Sequence, residues 1–97
     1  MATPNKTPEI RQSFVLPSGK EAQRIALPGR YYFEFRRKIQ QDQEVAMKEI
    51  MMRSYLIEGQ PLTIDLIDDQ LSFEDNLCLG TMIDNLFQSA AVQQKQT

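Results

Sequence analysis

The chain lacks histidine entirely and contains a single cysteine, Cys78. Without histidine, the commonest general base and metal ligand is missing. One cysteine excludes an internal disulfide and a metal site built from several thiolates. Cys78 lies in an apolar helical pattern with acidic neighbours, which favours a small buried residue over a reactive thiol. These absences predict a protein that is not an enzyme and that holds no cofactor or metal.

Long apolar runs are also missing from the sequence. No run approaches the roughly 18 residues that a membrane span needs. Residues 1–6 lack the apolar segment of a signal peptide. We therefore expect a cytoplasmic protein that does not bind membranes.

The composition is that of a small globular domain. Of the 97 residues, 41% are hydrophobic and 25% are charged, which is close to the usual mix. A domain of this size buries only about 60–65% of the surface that its unfolded chain exposes. The core is therefore expected to be thin, and stability can depend on a partner or on a homo-oligomer.

Charge is unevenly distributed along the chain. Residues 1–57 carry ten Lys/Arg against six Asp/Glu, whereas residues 58–97 carry one Lys against seven Asp/Glu. Such asymmetry can drive head-to-tail self-association or orient a partner. Two solvated faces of opposite sign explain it equally well, and the sequence leaves both interpretations open.

The first half predicts a β-hairpin followed by helices. Ser13–Leu16 is apolar and partly β-branched, Pro17–Lys20 is a turn signal, and Glu21–Leu27 is the returning strand. A two-residue loop at Ser18-Gly19 pairs Leu16 with Glu21 and Phe14 with Gln23. That register places four apolar side chains on one face, namely Phe14, Leu16, Ile25 and Leu27.

Helical spacing continues through the rest of the chain. Residues 31–39 favour a helix over a strand, because Phe35 and Ile39 are four positions apart. Asp42 caps a second helix that runs to about residue 57, and Gly59 is the residue just beyond its C-terminal end. Thr63 caps a short turn over residues 64–69. Ser72, with Asp75 three positions later as in a capping box, opens a last helix over residues 73 to about 90.

These elements predict an α+β fold, with an N-terminal β-hairpin packed on a small bundle of three to four helices. Residues 1–11 are expected to form a flexible arm, 12–90 a single domain, and 91–97 a flexible tail. Gly80 costs about 1 kcal/mol of helix propensity relative to Ala, so we expect it to mark a close helix–helix contact.

The second helix carries an apolar stripe wider than one core-facing side needs, and three methionines lie on it. A core helix between two neighbours and an adaptable binding surface both fit this pattern. The candidate partner-binding residues on this helix and on the last one are Met47, Ile50, Met51, Tyr55, Leu79, Ile83 and Phe87.

Two charged clusters invite more specific interpretations. Asp65, Asp68 and Asp69 lack the spacing and the glycine of a calcium loop, so we expect helix-capping and solubilising charges. Arg36-Arg37-Lys38 follows an aromatic run, as in some nucleic-acid-binding surfaces. A pI near 5.0 argues against that function, because nucleic-acid modules are usually basic. We expect a solvated cationic face over a buried aromatic one.

Four stretches, in their order and spacing, resemble the small tail assembly chaperones of tailed phages, which are encoded beside the tape-measure gene. Together they span about residues 13–88. They are the turn Leu16–Lys20, the segment Ile25–Arg30 before a basic helix, the segment Tyr55–Thr63, and the helix opening Leu71–Asp75.

The resemblance implies a viral helper protein of the host cytoplasm that coats the hydrophobic tape-measure protein until tail-tube subunits replace it. Its partners would be the tape-measure protein or another tail protein, with no nucleic acid. A structural virion component, such as a small tail or baseplate subunit, is the main alternative. A regulatory adaptor or nucleic-acid binder is a third.

Overall fold

The computed structural model describes residues 8–96, and it describes side chains over residues 8–88. A single turn of π-helix, Leu66–Gln70, stands before the last helix. The strands and the other helices are β1 Ile10–Val15, β2 Glu21–Ile25, α1 Arg30–Ile39, α2 Gln43–Ser54, β3 Tyr55–Ile57, β4 Gln60–Pro61 and α3 Phe73–Gln96.

The strands form one antiparallel sheet in the order β1-β2-β3-β4. Two β-hairpins make up this sheet, and the helical pair α1–α2 connects them. The predicted α+β class is confirmed. The sheet contains a second hairpin, β3–β4, in addition to the predicted one. None of the helices over the described part of the chain is long and apolar enough to cross a membrane.

The first hairpin has a three-residue loop, so the predicted register is wrong by one residue. The Leu16 N–H donates to Lys20 O at 2.8 Å, and the Gly19 N–H donates to Leu16 O at 2.8 Å. Gly19 closes this turn with a φ of +98°, a conformation that favours glycine. Phe14 therefore lies opposite Ala22, instead of Gln23.

The new register changes which side chains face inward. Ala22, only 2% exposed, belongs to the core beside Leu16, while Phe14 packs against it half-buried. Val15, opposite Glu21, is 64% exposed. The predicted inner set of Phe14, Leu16, Ile25 and Leu27 is thus corrected at Ile25, which is not among the core-packed residues.

The second helix ends three residues earlier than predicted. Tyr55 leaves helical geometry with φ −121° and ψ 145°, and β3 then pairs with β2, with Tyr55 opposite Arg24 and Ile57 opposite Ala22. Glu58 and Gly59 both have positive φ, 53° and 81°, as in the type I′ turns of two-residue hairpin loops. Gly59 is therefore a hairpin residue and not the end of a helix.

The three predicted helix caps are confirmed. Asp42 Oδ1 accepts from the Val45 N–H at 3.1 Å, and Thr63 Oγ1 accepts from the Leu66 N–H at 3.2 Å. Ser72 Oγ accepts from the Asp75 N–H at 3.0 Å, while Asp75 Oδ2 accepts from the Ser72 N–H at 3.3 Å. The last pair is the reciprocal arrangement of a capping box.

The core lies between the inner face of the sheet, α2 and α3. Its buried side chains come from the first hairpin, α2, β3, residues 62–71 and α3, and none comes from α1. They are Leu16, Ala22, Ile50, Met51, Tyr55, Ile57, Leu62, Ile67, Leu71, Leu79 and Ile83.

The structure also bears on the predictions for Gly80, for the N-terminal arm and for the C-terminal tail. A Cβ added at Gly80 would meet no heavy atom within 4 Å among the described residues, so the predicted close helix–helix contact is wrong. β1 begins at Ile10, inside the predicted arm, and α3 continues to Gln96 through the predicted tail. Residues 1–7 of the arm and residue 97 lie outside the described residues.

Candidate functional site

Most of the predicted partner-binding residues are part of the core. Met47 and Phe87 are half-buried and pack against it. The other five side chains are exposed by 7% or less, and they are Ile50, Met51, Tyr55, Leu79 and Ile83. In the folded domain a partner cannot reach these five side chains. Their role in binding stays a prediction, and it requires the domain to open.

Tyr55 illustrates why these residues are structural. Its hydroxyl donates to Leu79 O at 2.8 Å, and its ring meets Phe14 edge-on at 6.1 Å. Burial raises the pKa of the Tyr55 hydroxyl, because the charged form would lose its hydration. Tyr55 thus joins the sheet to α3 in the neutral form.

One accessible apolar surface lies on α1. A period of 3.6 residues sends the aromatic run of residues 31–35 to two sides of the helix. Tyr31 and Phe35, four positions apart, pack against the core. Tyr32 and Phe33 point outward, 42% and 64% exposed. The expectation that the aromatic face is wholly buried is therefore wrong for these two residues.

Ion pairs fix the inner side of α1 against α2. Lys38 Nζ lies 2.7 Å from Glu49 Oε1 and 3.6 Å from Glu34 Oε2. Arg53 also reaches Glu34, at 3.7 Å, and stacks over the Tyr31 ring at 4.4 Å. The hydrogen bond with Glu49, together with both carboxylates, raises the pKa of Lys38. These contacts lie on the same side of α1 as the core-packed Tyr31 and Phe35, so Tyr32 and Phe33 face outward.

The outward side of α1 combines aromatic and cationic groups, and we call Tyr32, Phe33, Arg36 and Arg37 the aromatic-basic face. The Tyr32 ring contacts Phe33 at 5.0 Å and Phe87 of α3 at 6.0 Å between centroids. The Arg36 guanidinium lies 5.9 Å from the Tyr32 centroid. Both arginines are exposed. The face thus contacts α3 through Tyr32 and is accessible at its outer surface.

A second apolar surface lies at the beginning of α3, and we call Phe73 and Leu77 the α3 patch. These side chains are 77% and 58% exposed, and at four positions apart they lie on one side of the helix. The core side chains Leu79 and Ile83 lie on another side of α3. These apolar side chains of α3 therefore lie on two sides of the helix, one exposed and one buried.

Asp75 holds the α3 patch in place. Its carboxylate is fully buried and accepts hydrogen bonds from the backbone N–H of Ser18 at 3.0 Å and of Ser72 at 3.3 Å. Burial alone would raise the pKa of Asp75, but the hydrogen bonds from Ser18 and Ser72 outweigh it and lower the pKa. One charged group thus ties the first hairpin to the beginning of α3.

The remaining charged groups and Cys78 lie outside these two surfaces. Over the described residues, no group of three or more His, Cys, Asp or Glu side chains is arranged to hold a metal ion. Asp68 of the acidic cluster pairs with Lys48 at 2.8 Å, which raises the pKa of Lys48. Cys78 is half-buried against the core. The aromatic-basic face and the α3 patch combine several exposed large apolar side chains of the described residues.

The sequence contains a signal for the aromatic-basic face. Tyr32 with Arg36, and Phe33 with Arg37, are both pairs at i and i+4, so each aromatic side chain shares a helix side with an arginine. For the α3 patch, no comparable signal distinguishes the exposed Phe73 and Leu77 from the buried Leu79 and Ile83. Comparisons of the chain with protein-family models, with curated proteins and with solved structures found no match.

Proposed function

We propose that this protein is a tail assembly chaperone that binds the tape-measure protein and keeps it soluble during phage tail assembly. One structural observation supports this function: α1 and α3 present large apolar side chains to solvent, and among them Tyr32, Phe33, Phe73 and Leu77 are 42–77% exposed. The order of motifs along residues 13–88 is the second support.

The structure fits a mechanism of reversible holding. Fully burying a Phe or Leu side chain contributes about 1.5–3 kcal/mol, and Phe33 and Phe73 have most of their surface still to bury. A few such contacts, after the costs of association, give modest affinity. Modest affinity suits a chaperone that polymerising tube subunits must displace. The chain would act by mass action on an aggregation-prone partner, and no covalent bond would change.

An aggregation assay with the purified tape-measure protein tests this function. We expect the wild-type chain, added in equimolar amount, to keep that protein in the supernatant after centrifugation. Phe33→Asp and Leu77→Asp should each reduce the soluble fraction, because a charge replaces an apolar contact. Val15→Asp is a matched control, since Val15 is as exposed as Phe33 at 64% but lies on the sheet.

Circular dichroism of each variant shows whether it is folded, so that a loss of holding by a folded variant can be assigned to its exposed surface. Loss of holding with Phe33→Asp and Leu77→Asp, while Val15→Asp holds normally, supports the proposal. A wild-type chain that leaves the tape-measure protein in the pellet contradicts it.

A structural tail or baseplate subunit is the second candidate, and one feature favours it. β1 forms one edge of the sheet and is exposed along most of its length, Ile10–Val15. Such an edge can pair with a strand of another subunit. Mass spectrometry of purified virions separates the two functions: a chaperone should be absent, whereas a structural subunit should be present in fixed copy number.

A further inference from the structure

The cations of the aromatic-basic face differ from three other cations on α1 and α2. Lys38, Lys48 and Arg53 each lie within 4.0 Å of at least one carboxylate. None of the ion pairs formed among residues 8–88 includes Arg36 or Arg37. These two guanidinium groups stand exposed beside exposed aromatic rings. The face therefore complements a partner that carries both apolar and carboxylate side chains.

The spacing on α1 restricts the shape of that partner. Tyr32 and Arg36, like Phe33 and Arg37, are separated by four residues, a rise of about 6 Å along the helix axis. A partner helix presents an apolar and an acidic side chain at the same separation when they are three or four positions apart. An extended strand would need a free sheet edge for its backbone groups, and a helix such as α1 offers none. A helix satisfies its own backbone.

Nucleic acid fits the face less well. Base stacking needs an open ring surface, but Arg36 lies over the Tyr32 ring at 5.9 Å and Phe33 meets that ring edge-on at 77°. The chain as a whole carries a net charge of −2, which repels a phosphate backbone.

We propose that the aromatic-basic face is a docking site for an amphipathic helix whose apolar side chains are flanked by Asp or Glu. The inference rests on the proposed function, because it identifies which part of the held protein this chain recognises. The aromatic rings bury the apolar side chains of the partner helix, and Arg36 and Arg37 pair with its carboxylates. The arginines thereby select among the apolar helices that the rings alone would accept.

Two synthetic peptides of about 20 residues, long enough to form a helix, test this selection directly. Both carry Leu at alternating three- and four-residue spacing, and they differ only in Glu or Lys at the flanking positions. Fluorescence anisotropy should show binding of the Glu peptide at least about tenfold tighter than the Lys peptide. Binding should weaken with salt, since the Debye length falls from about 10 Å at 0.1 M to about 3 Å at 1 M. Circular dichroism should show a gain of helix on binding.

Variants of the folded chain locate the site. Arg36→Glu with Arg37→Glu should weaken binding of the Glu peptide by about tenfold or more, and Phe33→Ala should weaken it by about tenfold. Arg11→Glu with Lys20→Glu changes the net charge equally, and Val15→Ala removes an equally exposed side chain; neither should change the affinity. Equal affinity for both peptides would overturn the inference. So would unchanged binding by the arginine double variant, or tighter binding of a single-stranded oligonucleotide through the same arginines.

The failure of this inference is distinguishable from failure of the proposed function. A wild-type chain that holds the tape-measure protein, together with an Arg36→Glu/Arg37→Glu variant that holds it equally well, removes the docking site and leaves the chaperone function standing. A wild-type chain that fails to hold it at all removes the chaperone function first.

Discussion

Replacement of Asp75 is the sharpest test of how the fold positions its exposed surfaces. The Asp75 carboxylate caps α3 and also accepts from the Ser18 N–H of the first hairpin. Losing a helix cap costs about 1 kcal/mol, and losing the part-buried hydrogen bond from the Ser18 N–H to a charged carboxylate costs about 1.5–3 kcal/mol. Asp75→Ala should therefore lower the free energy of unfolding by about 2–4 kcal/mol. Asp75→Asn keeps one acceptor oxygen and should cost about half as much.

Urea unfolding monitored by circular dichroism measures these differences. Glu74→Ala is the matched control, because Glu74 is an exposed acid in the same first turn, and its interaction with the helix dipole is worth about 0.3–1 kcal/mol. If Asp75→Ala were no more destabilising than Glu74→Ala, Asp75 would not join the hairpin to α3, and the assignment of its hydrogen bonds would be refuted.

The pH dependence of the same experiment follows from the lowered pKa of Asp75. A carboxyl group with a folded-state pKa below its unfolded value of about 3.9 binds fewer protons in the folded state. Its contribution to stability is complete above that value and is lost as the pH falls through the folded-state pKa. The stability difference between wild type and Asp75→Asn should thus be constant near neutral pH and shrink below about pH 4. A constant difference down to pH 2 would contradict this reasoning.

Three further substitutions test the fold by urea unfolding. Gly80→Ala should stabilise the chain by about 1 kcal/mol, since its Cβ would meet open space; a loss of stability would show a close contact at this position. Gly59→Ala should destabilise it by about 1 kcal/mol, because Gly59 has a φ of +81°; no change would contradict a left-handed hairpin turn. Tyr55→Phe should cost about 1 kcal/mol through loss of the bond to Leu79 O, and a neutral result would mean that this bond is not formed.

The parts of the fold that depend on local sequence were predictable. Each helix cap involves residues three positions apart, so Asp42, Thr63 and Ser72 could be identified from spacing alone. β3 could not, because Tyr55–Ile57 continues the apolar pattern of α2 and becomes a strand only through pairing with β2. The hairpin register failed for a related reason: a glycine in the turn is compatible with loops of two or three residues.

The candidate site was only partly predictable for a different reason. Apolar spacing identifies the sides of a helix but not which side another element covers. On α3, the two stripes headed by Phe73 and by Leu79 look alike in sequence, yet one is exposed and one is buried. Met51 has the same apolar spacing on α2, yet it belongs to the core. On α1, spacing alone pairs Tyr32 with Arg36 and Phe33 with Arg37, but it is the packing of the opposite side against the core that leaves this side exposed.

Hydroxyl-radical footprinting of the complex with the tape-measure protein examines the central claim, that the folded domain binds through its exposed apolar side chains. Bound protein should show reduced oxidation of Phe33 and Phe73, while Met51, 4% exposed in the free chain, stays protected. Increased oxidation of Met51 with unchanged Phe33 and Phe73 would contradict the account, because it would mean that the partner binds an opened domain through its core.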